Sequence, residues 1–243
     1  MSLDLAIPSK GRVQKPTLEL LDKIGAPLET PPGGARSYRA SLKGLADCTI
    51  WLNPSNEIAK KLHTGEIHAG IVGIDLIHER GEVEGAVEIV KPLGYGRADM
   101  VVAVPQSWID VNSVADLREV FHDIRLSQGR PALVATSFSN CTARIFPRWG
   151  LEDFRIVYVP GAAEAAPASL LADVVVDITE TGSTLKANHL KPLFKEPLIR
   201  SEVALAVSLK ARWDASAFNA LEALAKKLDP ALSLADLKGK LGV

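Results

Sequence analysis

The sequence predicts an α/β fold of mostly parallel sheets flanked by helices. Three observations lead there. Short apolar runs of strand character recur at residues 3–7, 69–72, 132–135 and 174–178. Segments with helical apolar spacing separate them, and alternating strands and helices give parallel sheets covered by helices. The chain has 243 residues, enough for a sizeable core and close to the length at which cores divide into domains.

Taken in order, residues 3–7 form the first strand, and residues 13–24 a helix with Leu18, Leu21 and Ile24 on one face. Residues 38–42 and 48–52 read as short strands joined by a turn at Gly44. Pro54 suits the start of a helix over 55–62. A buried strand over 69–72 leads to a helix start at 75–79, then strands at 87–90 and 99–104 surround the Gly94-Tyr-Gly96 turn. A helix over 113–126 is capped by Ser113, followed by a strand at 132–135, a helix at 139–149 and a strand at 156–159. Residues 162–171 read as a helix interrupted at Pro167, and 174–178 as a strand. One or two strands follow within 197–209, and Asp214 caps a helix carrying Phe218, Leu221, Leu224 and Leu228 on one face. Leu232, Leu234, Leu237 and Leu241 either pack on the body of the protein or face a partner, and packing is the expectation. Residues 31–34, Pro-Pro-Gly-Gly, are a loop.

Composition excludes several classes. A hydrophobic fraction of 47% and a charged fraction of 23% are those of ordinary globular proteins. Net charge of −1 gives no electrostatic footprint for nucleic acid. No stretch approaches the roughly 20 apolar residues that span a bilayer. Asp4 and Lys10 around a short strand do not make a signal peptide, so a cytoplasmic location is expected. Cys48 and Cys141 sit among apolar or small residues, as buried thiols in a reducing compartment do. The five histidines show no metal-ligand spacing and no Cys-x-x-Cys occurs, so no protein-bound metal is expected.

The chemistry concentrates at residues 173–188. The strand ends on one carboxylate, Asp177, and a hydroxyl-rich turn follows: Thr179, Glu180, Thr181, Gly182, Ser183 and Thr184. Leu185 to Asn188 then open a helix. Amides at a helix start favour an anion, whereas Asp177 repels phosphate but accepts hydrogen bonds from a diol. Together they suit a ribose 5-phosphate. Glu180 is expected to point away from such an anion.

The run Asp177-Ile-Thr-Glu-Thr-Gly-Ser-Thr-Leu-Lys-Ala-Asn188 resembles the phosphoribosyl-diphosphate loop of the ATP phosphoribosyltransferase family. Three other stretches resemble that family in its order: Leu5-Ala-Ile-Pro-Ser-Lys-Gly-Arg12, residues 65–79 with Gly-Ile-Val-Gly-Ile-Asp75, and residues 91–105 with Gly-Tyr-Gly-Arg97. One departure is Ser137, where members often carry Lys after Ala-Thr. The resemblance implies two lobes of the periplasmic-binding-protein type II kind, with lobe I at 1–96 and 180–243 and lobe II at 97–179. It implies condensation of ATP, through adenine N1, with 5-phosphoribosyl 1-diphosphate, the first step of histidine biosynthesis. The alternative is a two-lobe binding module without catalysis.

The resemblance also assigns roles. Asp177 is the catalytic carboxylate beside the ribose. Glu180, Thr181, Gly182, Ser183 and Thr184 hold phosphoribosyl diphosphate, and Lys10, Arg12, Asp75 and Arg97 are candidates for ATP or diphosphate. Asp75 alternatively serves as a helix N-cap, and Arg36 and Arg39 are weaker candidates. Magnesium is expected, held mainly through substrate. The length implies the short form of the family, which works with a regulatory subunit resembling histidyl-tRNA synthetase. A homo- or hetero-oligomer is therefore expected, and insensitivity of the chain alone to histidine.

Overall fold

A computed structural model describes residues 2–29 and 39–243. The chain divides into two compact units, residues 1–96 with 202–243, and residues 97–201. Arg36 and the loop expected at 31–34 lie outside the described residues.

The first unit is a seven-stranded sheet, in order β2-β3-β4-β1-β5-β12-β6. Its strands are β1 (Leu3–Pro8), β2 (Leu28–Glu29), β3 (Arg39–Leu42), β4 (Leu45–Asn53), β5 (Ala69–Gly73), β6 (Val87–Pro92) and β12 (Val203–Ser208). The strand β1 pairs in parallel with β4 and β5, while β2–β3, β3–β4, β5–β12 and β12–β6 are antiparallel. Period-two alternation sends Leu3, Leu5 and Ile7 to one face and Ala6 to the other. The first face is covered by α1 (Gln14–Lys23), α7 (Ala215–Leu228) and α8 (Ala235–Leu241), and the second by α2 (Ser55–Thr64) and α3 (Ile74–Arg80). Asp214 caps α7 by accepting from the Ala217 amide at 2.9 Å. Leu234 and Leu237 are buried with Phe218 and Leu221, so the C-terminal leucines pack on this unit. His68 is a strut: its Nδ1 accepts from the Asp4 amide at 3.0 Å, and its Nε2 donates to the Arg212 carbonyl at 2.8 Å.

Gly65 closes α2 at φ +79°, and a Cβ there would stand 2.7 Å from the Lys210 carbonyl oxygen. Both the left-handed backbone and that backbone contact exclude a side chain. Gly65→Ala is expected to destabilise the protein by about 2–3 kcal/mol. A denaturation midpoint equal to that of the unmodified chain would contradict this.

The second unit is a five-stranded sheet, in order β11-β7-β10-β8-β9. It comprises β7 (Asp99–Pro105), β8 (Ala132–Thr136), β9 (Phe154–Tyr158), β10 (Val174–Thr179) and β11 (Leu190–Pro192). Only β10–β8 and β8–β9 run parallel here, while β10–β7 and β11–β7 are antiparallel. Helices α4 (Val114–Gln128) and α5 (Ser139–Arg148) bring Phe121 and Phe146 together on one face, with Phe146 also against Phe154. Ser113 caps α4, accepting from the Asp116 amide at 3.2 Å. A bidentate Arg130–Asp173 pair, with Asp173 also accepting from the Leu133 amide, fixes the start of β8 against that of β10.

Three expectations need correction. Both sheets are mixed rather than mostly parallel, because β7 and β12 enter against their neighbours after crossing between units. The helix expected over 162–171 is a single 3₁₀ turn, Ala163–Ala165. Pro167 has no amide to donate, and left-handed Ala162 (φ 52°) and Leu170 (φ 58°) bound the segment. The second crossing falls between Ser201 and Glu202, not near 180. After α6 (Ser183–Ala187) the chain first adds β11 to the edge of the second sheet, and Ile199 still bridges Met100.

Candidate active site

In the second unit the polar residues gather where β10 and β8 end. Val174, Val175 and Val176 are fully buried, so β10 is anchored and the less buried Asp177 emerges at a fixed height. The next turn is tied by its own hydroxyls. The Gly182 amide donates to Thr179 Oγ1 at 2.8 Å, the Ser183 amide to Thr181 Oγ1 at 3.3 Å, and Thr181 Oγ1 to Ser183 Oγ at 2.9 Å. Gly182 stands at φ +74° as the residue before α6, and among the described residues beyond its chain neighbours nothing lies within 4 Å of where its Cβ would be. Two loop amides are therefore bonded to neutral oxygens that an anion can replace, and space is open beside them. With five residues, α6 adds only a weak dipole, so anion affinity rests on these amides and hydroxyls.

Asp177 is electrostatically unusual. Burial pushes its carboxyl up to about 6, against a bond from the Ile178 amide to Oδ1 at 2.8 Å, with the Glu164 side chain pushing it further. Glu164 lies on the 3₁₀ turn Ala163–Ala165 and hydrogen-bonds Asp177. This second carboxyl escaped the sequence reading. One acid among the small residues Gly161-Ala-Ala-Glu-Ala-Ala was the available signal, hidden by the expectation of a helix. Asp177 is thereby biased towards its protonated form, and the two carboxyls can share hydroxyl or cation partners. Among the described residues no group of three acidic, histidine or cysteine side chains converges.

Arg97 is exposed and stands two residues before Asp99, which pairs with Thr179. The antiparallel entry of β7 thus brings a guanidinium to the end of the sheet that carries the hydroxyl loop. Ser137, at the end of β8, is at the same sheet end, since Thr136 pairs with Val176. Glu180, Thr181, Ser183 and Thr184 are exposed.

In the first unit, β1, β4 and β5 end side by side. Lys10 and Arg12 are exposed on the loop after β1, and the Ser9 amide donates to the Asn53 carbonyl at 2.9 Å. Asn53 also keeps a buried Oδ1 with no hydrogen-bond partner among the described residues. Asp75 is buried in the first turn of α3, but Gly73 is the N-cap and no side chain caps that helix. The Asp75 carboxylate folds back so that its Oδ1 would lie 2.4 Å from a Cβ on Gly73. The capping role is therefore not the one it plays. Arg39 lies over the Trp51 ring at 4.4 Å, a cation–π contact that accounts for its position.

Cys48 and Cys141 are buried and unbridged, and burial, then the charge of Asp4, pushes the Cys48 thiol up to about 12. Among the described residues no helix is long and apolar enough to cross a membrane.

A family model described as ATP phosphoribosyltransferase matches residues 54–229. A protein from Caulobacter vibrioides named ATP phosphoribosyltransferase is 42% identical over 238 residues, covering 98% of this chain and 72% of its own length. One of the same name from Chelativorans is 44% identical over 214 residues, covering 87% of this chain and 93% of its own. A solved ATP phosphoribosyl transferase (HisG:HisZ) complex from Thermotoga maritima has a chain of the same fold. It superposes with a TM-score of 0.69 at 24% identity, over 95% of this chain and 98% of that one.

Proposed function

This chain belongs to the ATP phosphoribosyltransferase family, and from that premise we infer that it condenses ATP with 5-phosphoribosyl 1-diphosphate, the first step of histidine biosynthesis. In this reaction adenine N1 forms a bond to C1 of the ribose while the C1–oxygen bond breaks and diphosphate leaves. The observation that carries the reading at the site is the β10 strand end. A carboxyl pair stands beside a hydroxyl loop with an open, glycine-lined approach.

Adenine N1 already bears a lone pair, so the chain supplies positioning and charge rather than a strong base. The 5-phosphate replaces the loop's own hydroxyls on the Gly182 and Ser183 amides, with Glu180, Thr181 and Thr184 completing the loop. Asp177 accepts the ribose hydroxyls and, when ionised, favours the positive charge that develops on the sugar. Burial chiefly, and Glu164 in addition, raise the pH at which Asp177 ionises. Lys10, Arg12, Asp75 and Arg97 are proposed contacts to triphosphate and diphosphate. The guanidiniums suit bidentate phosphate contact better than an ammonium does.

The donor set fits a hard divalent cation that takes most of its ligands from substrate and water. We therefore propose magnesium, with Asp177 and Glu164 as the nearby oxygens, to neutralise the departing diphosphate. A regulatory subunit resembling histidyl-tRNA synthetase is the proposed partner, in a larger oligomer. The deciding experiment incubates the chain with ATP, 5-phosphoribosyl 1-diphosphate and magnesium and follows the ultraviolet absorbance of the adduct. A binding module would return ATP unchanged.

The pH dependence follows from Asp177. Its folded pKa is raised, so the ionised form that the mechanism uses predominates only above about 6. kcat/KM for 5-phosphoribosyl 1-diphosphate is expected to fall about tenfold per pH unit below that point and to level off above it. A profile that stays flat between pH 5 and 8 would remove the carboxylate from the mechanism.

A further inference from the structure

Away from the strand ends, the second unit carries a cleft of about 1040 Å³ beside the last turn of α5. Ile145, Arg148 and Trp149 form one wall, and residues 192–198, which follow β11, form the other. The ten residues of α5 start next to the end of β8 and run back from it, which sets this turn roughly 15 Å from residues 136–138. It is therefore a separate place on the unit, and the inference stands whether or not the transferase reading does.

The cleft has a built apolar wall. Trp149 and Phe194 meet edge to face with ring centroids 5.4 Å apart, and Phe146 stacks against Trp149 at 6.0 Å. Anchored aromatic pairs of this kind hold their geometry, and the volume is at the upper end of the roughly 300–1000 Å³ that small-molecule sites occupy. Its polar groups are one-sided. The side-chain acceptors are partly engaged: Glu196 pairs through Oε2 with Arg200, and Asn112 Oδ1 accepts from Lys191 at 3.1 Å. The Lys195 ammonium and the Trp149 indole N–H have no partner among the described residues. An occupant must then bring acceptors and an apolar body.

We infer that this cleft binds a small amphipathic anion, a carboxylate carried on an aromatic body, with the ring against Trp149 and Phe194 and the carboxylate on Lys195. A phosphate alone would leave the aromatic wall uncovered, and an uncharged hydrocarbon would leave Lys195 unanswered.

Indole-3-acetate is the probe, titrated into the whole chain by calorimetry with ligand-observed NMR as a second readout. Saturable binding is expected. It should weaken about tenfold in Lys195→Glu, which removes a charged hydrogen bond, and similarly in Phe194→Ala, which removes half of the aromatic wall. Both side chains are at least partly exposed, and circular dichroism verifies that the variants fold. Indole, which lacks the carboxylate, should bind correspondingly less well. Saturating ATP and 5-phosphoribosyl 1-diphosphate should leave the probe bound. The inference is overturned by no saturable binding up to about 10 mM probe, by undiminished binding in both folded variants, or by displacement of the probe by ATP and 5-phosphoribosyl 1-diphosphate.

Discussion

Gly182→Val is expected to lower affinity for 5-phosphoribosyl 1-diphosphate about a hundredfold or more while leaving the protein folded. Two separate terms add. At φ +74° a β-branched residue is strained by roughly 1–3 kcal/mol, so the loop shifts towards conformations in which its amides no longer converge. The isopropyl group would also enter the space beside the Gly182 Cα, open to 4 Å in the ligand-free protein, where the phosphate approaches. Because no atom of the described residues lies within 4 Å of that Cβ, its neighbours excepted, the first carbon of the new side chain meets no clash. Gly182→Ala separates the terms: it keeps most of the backbone strain with little bulk, so it should lose affinity by a smaller factor. Calorimetric titration measures both variants. A valine variant that binds as tightly as the unmodified chain, with an unchanged melting curve, would place the phosphate elsewhere.

The sequence was legible where local chemistry decides structure. The caps at Ser113 and Asp214 are instances, since a short acceptor before an apolar period satisfies an amide that the helix leaves free. The short apolar runs at 69–72 and 174–176 are buried strands, the second made entirely of β-branched valine, which suits a sheet interior. Strand direction was not legible. Whether β7 and β12 run with or against their neighbours depends on where the chain crosses between units, and no residue in either strand encodes that. The two-residue β2 and three-residue β11 carry no period of their own and exist because a partner strand offers free backbone. At the site, Asp177 and its hydroxyl loop were visible because they are contiguous. Glu164 was not, since its partner is thirteen positions further along the chain and a proline-broken 3₁₀ turn brings the two together.

Asp177→Asn tests what that pairing does. The amide keeps the shape and can still meet one hydroxyl, but it removes the charge that favours a cation-like sugar. Losing a charged hydrogen-bond set costs on the order of 1.5–3 kcal/mol, a roughly ten- to hundredfold loss in kcat/KM at neutral pH. Stability should rise slightly if it moves at all. Burial and Glu164 already oppose the carboxylate, so the neutral amide relieves a cost the native fold carries above about pH 6. A purely structural carboxylate would give the reverse pattern, unchanged turnover with a lower melting temperature. Glu164→Gln completes the test. It takes away the neighbouring charge while leaving Asp177 in place, so the acidic limb of the kcat/KM profile should move below about 6 with the plateau retained. If the limb stays where it was, burial alone raises Asp177 and Glu164 adds nothing to it. If the limb moves and the plateau also collapses, Glu164 acts on the substrate itself rather than through its neighbour.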